Sequence, residues 1–325
     1  MKINRLAKYS ISLLAALSLA ACGNGNQAGA GSADGQVKVG VLQFMEHESL
    51  DQARQGFEAE LADNGYKAGD KLELAYSNAQ GDQSNLQGIT QQFANSQDLV
   101  LSIATPAAQA MLNADQSTPQ LFTTVTDPVS AGLVQSIEKP GRNMTGTSDS
   151  VDVAKVIDLL LTTKDDIKTI GVIYNSSEVN SEVQYQQAKE YIESKGLKVE
   201  QATVTSTNEV QTAITGLANR VDAVYLPTDN TVASSIATIG KVLMETKTPS
   251  VAGFDAGVEG ALCAYGVDYE ALGRQTAKMA LRILEDGQDP ANMPVEYSET
   301  FTIRVNQEMA DALGIDAQAL ENTKI

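Results

Sequence analysis

Polar side chains follow short apolar runs at several points in this 325-residue chain, and together they could hold a small zwitterion. Thr105 comes after residues 98–104 and before Pro106, so it can cap a helix whose first-turn amides, those around Ala107 among them, point outward. Thr126, after residues 120–125, could supply a second hydroxyl, and helix amides with hydroxyls suit a carboxylate. Asp229 and Asp255, each just beyond another apolar run, could accept from an ammonium group, with Asn175 and Asn230 as neutral helpers. The same residues also have a local reading. Thr and Asp at strand-to-helix junctions commonly cap the helix, and Asp127-Pro128 is ordinary turn chemistry.

An aromatic ligand would need apolar walls, and Phe44, Tyr174 and Phe254 lie at or near strand ends, where they serve equally well as core. The run from Gln43 to Glu48 should line a rim, with His47 placed to stack on or hydrogen-bond a ligand; Ser148 and Ser177 are further candidates. Catalytic chemistry is poorly provided for. His47 is the only histidine; without a second one or a cysteine cluster no transition-metal site is expected, and spacing supports no Ser-His-Asp arrangement. Cys263 sits among Ala261, Leu262 and Ala264 and reads as a buried, inert thiol. No Walker A motif and no Gly-x-Gly-x-x-Gly after the first strand are present, so no nucleotide or other cofactor is expected.

The elements that must position these residues begin after an export-type leader. Lys2, Arg5 and Lys8 precede a hydrophobic segment, residues 11–21, too short to span a bilayer, and Cys22 follows it. Residues 24–36 are Gly, Ala, Ser, Asn and Gln with one Asp, have little apolar volume and read as a tether. Without residues 1–21 the chain has 20 cations against 41 acids, a net charge of −21, which argues against a nucleic-acid partner. Roughly 290 residues beyond the tether suggest two lobes.

From Val37 short β-rich runs alternate with helical stripes, the grammar of an α/β protein. Runs at 37–43, 72–76, 98–104 and 120–125 read as strands, with helices implied by Ala53, Phe57 and Leu61 and by Leu86, Ile89 and Phe93. The alternation restarts after Gly146: helices at 151–161, 183–194, 210–217 and 232–242, strands at 169–174, 198–204, 223–226 and 249–252. In such sheets ligands bind beyond the carboxyl ends of the strands.

Two resemblances sharpen this. Leu19-Ala20-Ala21-Cys22 resembles the bacterial lipobox, which implies cleavage before Cys22 and acylation of that residue, two chains being enough for stable anchoring. Thr105-Pro106-Ala107-Ala108-Gln109, Val125-Thr126-Asp127-Pro128-Val129, Gly132-Leu133-Val134, Tyr174-Asn175-Ser176-Ser177-Glu178 and Pro227-Thr228-Asp229-Asn230-Thr231 resemble the substrate-binding lipoproteins of a bacterial ABC importer family associated with tryptophan and other aromatic amino acids. That likeness implies a type I periplasmic-binding-protein fold, with two Rossmann-like lobes joined by three crossing segments at 145–148, 264–268 and 293–297. Residues 37–146 and 268–292 would form the first lobe, 147–267 and 293–325 the second. It further implies a non-catalytic, extracytoplasmic protein that hands its ligand to an ABC permease and its ATPase. A sugar or nucleoside binder on the same fold, and a surface sensor lipoprotein signalling to a membrane partner, remain alternatives.

Overall fold

The computed structural model describes residues 35–298 and 300–324; Cys22, the leader and most of the tether lie outside the described residues. In chain order the first half holds β1 (Val37–Gln43), α1 (Glu48–Asp63), β2 (Leu72–Asn78), α2 (Gln83–Phe93), β3 (Leu99–Ile103), α3 (Thr105–Ala114), β4 (Gln120–Thr123) and β5 (Met144–Ser148). There follow α4 (Val153–Leu161), β6 (Thr169–Asn175), α5 (Val179–Ser194), β7 (Lys198–Val204), α6 (Thr207–Ala218), β8 (Ala223–Leu226), α7 (Asn230–Ser234), α8 (Ile236–Thr246), β9 (Ser250–Ala252) and β10 (Cys263–Val267). The chain closes with α9 (Tyr269–Leu284), β11 (Glu296–Tyr297), β12 (Phe301–Val305), α10 (Gln307–Leu313) and α11 (Ala317–Glu321).

These strands form two six-stranded sheets, ordered β11-β5-β4-β3-β1-β2 and β12-β10-β9-β8-β6-β7. All neighbours run parallel except β12, which is antiparallel to β10. Strands covered by helices on both faces must be apolar throughout, and β3, β4, β8 and β10 are accordingly buried at every residue. Each sheet carries its own core, one around Val41, Leu101 and Phe57, the other around Val172, Tyr225 and Leu243.

The crossings fall slightly later than the sequence suggested. Both β5 and β11 belong wholly to the first sheet, so the chain leaves it after Ser148 and again after Tyr297. Their small polar residues, Thr145, Gly146, Thr147 and Ser148, give no strand signal in isolation. The stripe expected as one helix at 232–242 is also interrupted: Ser235 leaves helical geometry at φ −108°, ψ 12°, dividing α7 from α8. Its apolar spacing runs straight through the break and so conceals it.

Helix α9 follows the second crossing and packs against α1 in the first lobe. The two backbones meet at glycines. A Cβ on Gly273 would collide with the Ala53 carbonyl, and one on Gly56 with the Glu270 carbonyl. Gly273→Ala should therefore destabilise by about 1–3 kcal/mol, the usual cost of overpacking, whereas Gly88→Ala, in α2 with open space around it, should stabilise by up to about 1 kcal/mol. Urea midpoints moving in opposite directions would verify the contact; equal shifts would refute it.

Candidate functional site

In each sheet the strand order reverses once, between β1 and β3 and between β6 and β8. Loops diverge at such a switch point and leave a crevice at the carboxyl ends of the strands. From the first lobe the loop after β1 brings His47; from the second, the loops after β6 and β8 bring Glu178 and Asp229. They meet. His47 Nε2 lies 3.3 Å from Asn230 Oδ1, joining two residues 183 positions apart.

An inner cavity with about 300 Å³ of empty space, open solvent included, lies at this junction. Leu50, Ala233 and Phe254 give it an apolar wall, and His47, Asp149, Asn180, Asp229 and Tyr269 its polar groups. Neither Lys nor Arg lines it. Ser49 and Leu50 lie in the first turn of α1, whose N-cap makes no side-chain capping bond, so that turn has amides to offer. Three buried polar atoms of the lining, His47 Nδ1, Ser49 Oγ and Asn180 Oδ1, have no hydrogen-bond partner. An outer cavity of about 1,760 Å³, counting its open mouth, is lined by Glu46, Gln109, Asn175, Ser177 and Glu178 among others.

Burial dominates the electrostatics. Asp149, 2 % exposed, accepts from Thr126 Oγ1 at 3.1 Å and Tyr269 OH at 3.3 Å. Loss of hydration still pushes its carboxyl up to about 6. Glu178 accepts from Asn175 Nδ2 at 3.2 Å, Thr231 Oγ1 at 3.3 Å and Asn230 Nδ2. Burial first, then the neighbouring Asp229 charge, push it up to about 8. Asp229 is itself raised by burial although the Asn175 and Val232 amides donate to it at 2.6 and 2.8 Å. His47 moves the other way, down to about 4, because its buried cation would lose hydration.

Backbone strain collects at the same rim. Ala104 and Thr124, just after β3 and β4, have φ of 81° and 56°. Such conformations cost on the order of 1–3 kcal/mol each and persist where packing over-determines them. The Ala104 amide donates to both Thr123 O and Thr124 Oγ1.

Of the residues expected at the site, His47, Thr126, Asp229, Asn230 and Phe254 line the inner cavity, and Asn175 and Ser177 the outer one. Others are engaged elsewhere. Gln43 donates to Met45 O and the Asp51 carboxylate, bracing the loop before α1. Thr105 and Ala107 are buried in α3, whose cavity-lining residues are Pro106, Gln109, Ala110 and Asn113. Asp127 takes the Val129 and Ser130 amides and the Ser130 hydroxyl in a turn. Ser148 donates to Thr126 O and accepts from the Ser150 amide. Asp255 is held by Arg304 Nη1 at 2.7 Å and Thr302 Oγ1 at 3.1 Å, so its charge is already answered. Asp149, Asn180, Glu178 and Tyr269 were not anticipated. The one signal for Asp149 was its position next to the first expected crossing.

Loops from two parallel sheets closing on a small buried cavity are the geometry of a protein that traps a molecule between lobes. Residues 38–321 match the family described as ABC transporter substrate binding protein. The chain belongs to that family. This substrate-binding protein is 40% identical over 291 residues to a tyrosine-binding protein of Clostridioides difficile (strain R20291), covering 89% of this chain and 84% of the relative. A Streptococcus pneumonia ABC domain in complex with L-Trp is 39% identical, with a TM-score of 0.83 over 87% of this chain and 96% of that one. The ligand-free, open structure of a Clostridium difficile substrate-binding protein with adhesive properties is 44% identical, with a TM-score of 0.67 over 86% and 95%. The architecture is the type I periplasmic-binding-protein fold, and proteins of this family work outside the cytoplasm.

Carboxyl groups raised by burial keep protons in the fold that the unfolded chain releases, so stability falls as pH rises between the ordinary and the raised value. His47 acts in the opposite sense between about 4 and 6.5 and contributes nothing above. Only Glu178 then remains among these three strongly shifted groups. Ligand-free protein should lose on the order of 1–2 kcal/mol between pH 6.5 and 8, and Glu178→Gln should flatten that slope in thermal unfolding. An equally steep slope in the variant would locate the effect elsewhere.

Proposed function

We propose that the protein captures an aromatic amino acid, tyrosine or tryptophan foremost, and hands it to an ABC permease driven by a partner ATPase, without catalysing any reaction. The observation that carries this reading is the inner cavity, which sets buried acids with no Lys or Arg beside an apolar wall. Asp149 receives the α-ammonium, with Asp229 behind it. The α-carboxylate lies against the first turn of α1 at Ser49 and Leu50, where amides and a hydroxyl offer donors. The ring packs on Phe254, Leu50 and Ala233. The names of two relatives, one a tyrosine-binding protein and one bound to L-Trp, support the same ligand class.

The chain has no tryptophan, so an added indole is the only one present. Excited at the red edge, free tryptophan titrated into the protein should show a saturable blue shift that tyrosine reverses. Asp149→Asn leaves an ammonium facing a neutral amide. Truncating one partner of a buried charge pair costs about 2–5 kcal/mol, so affinity should fall by roughly 30-fold to several thousand-fold. In the wild type, binding should weaken about tenfold per unit below pH 6, where Asp149 takes up a proton and can no longer pair with the cation. Unchanged affinity in Asp149→Asn would remove the ammonium site.

Acylation of Cys22 would hold the protein at the outer face of the membrane. Cells expressing Cys22→Ala should release the protein from the membrane fraction and fail to incorporate labelled fatty acid into it. Retention of label would place the anchor elsewhere.

A further inference from the structure

One line of hydrogen bonds crosses the cleft from the second lobe to the first. Asn175 begins it: its Oδ1 accepts from the Ser177 amide at 2.9 Å, which turns its Nδ2 toward Glu178 Oε1. Oε1 is therefore an acceptor, a role the Thr231 hydroxyl reinforces at 3.3 Å. The second carboxyl oxygen, Oε2, meets the side-chain amide of Asn230, and the other end of that amide meets His47 Nε2. Beyond it, His47 Nδ1 is buried without a partner on a residue that lines the inner cavity.

A primary amide has one accepting end and one donating end, and a neutral imidazole has one of each as well. The polarity of this line is thus set wherever it is set first. We propose that the proton on Glu178 decides, through Asn230, whether His47 presents a lone pair or an N–H to the ligand. With Glu178 ionised, Asn230 turns its NH2 to the carboxylate and its oxygen to His47; the ring carries its proton on Nε2, and Nδ1 is an acceptor. When Oε2 takes a proton from solvent it becomes a donor. Asn230 then turns its oxygen to Glu178 and its NH2 to His47, and the ring proton leaves Nε2 and is replaced at Nδ1. The ring's charge never changes, so the net uptake is the one proton on Glu178.

The surroundings suit such a device. The titratable groups facing the line are Asp229 before α7, Glu46 and Asp82 across the outer cavity, Glu48 and Asp51 on α1, Glu259 in a further pocket that His47 lines, and Asp149 and Tyr269 in the inner cavity, and no Lys or Arg lines these spaces. Burial and the Asp229 charge raise Glu178 to about 8, close to neutrality, while burial keeps His47 uncharged down to about 4. Asn230 and Glu178 are then positioning residues. In the ionised state the site favours a ligand carrying a ring donor, the phenol of tyrosine or the indole N–H, over phenylalanine; in the protonated state that preference is lost. This consequence for specificity rests on the aromatic reading given above, whereas the line of hydrogen bonds does not.

Because His47 is the sole histidine, its two ring nitrogens can be read directly in protein labelled with 15N-histidine. In the ligand-free protein the tautomer should pass from Nδ1–H to Nε2–H as pH rises from 6 to 9.5, with a midpoint near 8. Glu178→Gln should stay Nδ1–H throughout, since its amide offers a permanent donor to Asn230. Asn230→Ala should show no transition. A wild-type ring with one tautomer across this range, or a Glu178→Gln ring that titrates like wild type, overturns the relay. Calorimetry adds the second arm: the tyrosine-to-phenylalanine affinity ratio should rise about tenfold from pH 6.5 to 9 in the wild type and remain flat in Glu178→Gln. A flat wild-type ratio beside a turning tautomer overturns the specificity role alone. Absence of heat with tyrosine, tryptophan and phenylalanine alike counts against the aromatic ligand, and the ring tautomer still decides the relay.

Discussion

The structure is organised around carboxyl groups held in a cleft without cations. Asp149, Asp229 and Glu178 are all buried, and none has a Lys or Arg beside it in the cavities they line. A buried charge must be paired, hydrogen-bonded or neutralised by a proton. Each solution is in use. Thr126 and Tyr269 donate to Asp149, backbone amides donate to Asp229, and Glu178 keeps its proton to about 8. The asparagines and threonines clustered at the strand ends supply these donors. In the reading proposed above, a ligand cation would supply the pairing that the chain withholds.

Fold and site are coupled through a few long-range contacts. Tyr269, at the start of α9, reaches Asp149 after β5, so two of the crossings meet at the acid that faces the cavity. Further along, Thr276 on α9 bonds the Thr147 hydroxyl, and Gly273 seats the helix on α1. The first turn of α1 in turn lines the same cavity. Thr124, with φ of 56°, lines the cavity, and its hydroxyl accepts from the amide of the equally strained Ala104.

Much of this was legible in the residues and some was not, for identifiable reasons. Strands β1, β7 and β8 coincide with continuous or β-branched runs whose ends are marked by turn residues. Strands β5 and β10 are short and rich in small or polar residues; the likeness to a known family marked these segments only as crossings between lobes, and periodicity did not show them as strands. His47, Thr126, Asp229, Asn230 and Phe254 could be placed near the site because loops after parallel strands converge there. Their roles could not. Asp255 is paired with Arg304, 49 residues away on an antiparallel edge strand, and one of the two donors to Asp149, Tyr269, is 120 residues away. Thr105 was expected to face the ligand, but with Ala104 at φ 81° the turn into α3 leaves it only 2 % exposed. Strand order governs which loops meet, while individual side-chain partners depend on packing between distant segments.

The return of the chain to its first lobe has a consequence for how the protein is made. The first sheet is incomplete until β11, at residues 296–297, and its helical layer lacks α9 until residue 284. Thr145 waits for the Met293 carbonyl, 148 positions downstream. The second lobe is interposed, with five of its six strands made before α9 is reached. Loops of this size close slowly, and contacts so far apart delay the folding they reward. Neither lobe is therefore complete early: the first waits for β11 and the second for β12 at residues 301–305, so a nascent chain remains without a finished lobe until almost the whole sequence is present, the condition in which a polypeptide can still be threaded through a pore.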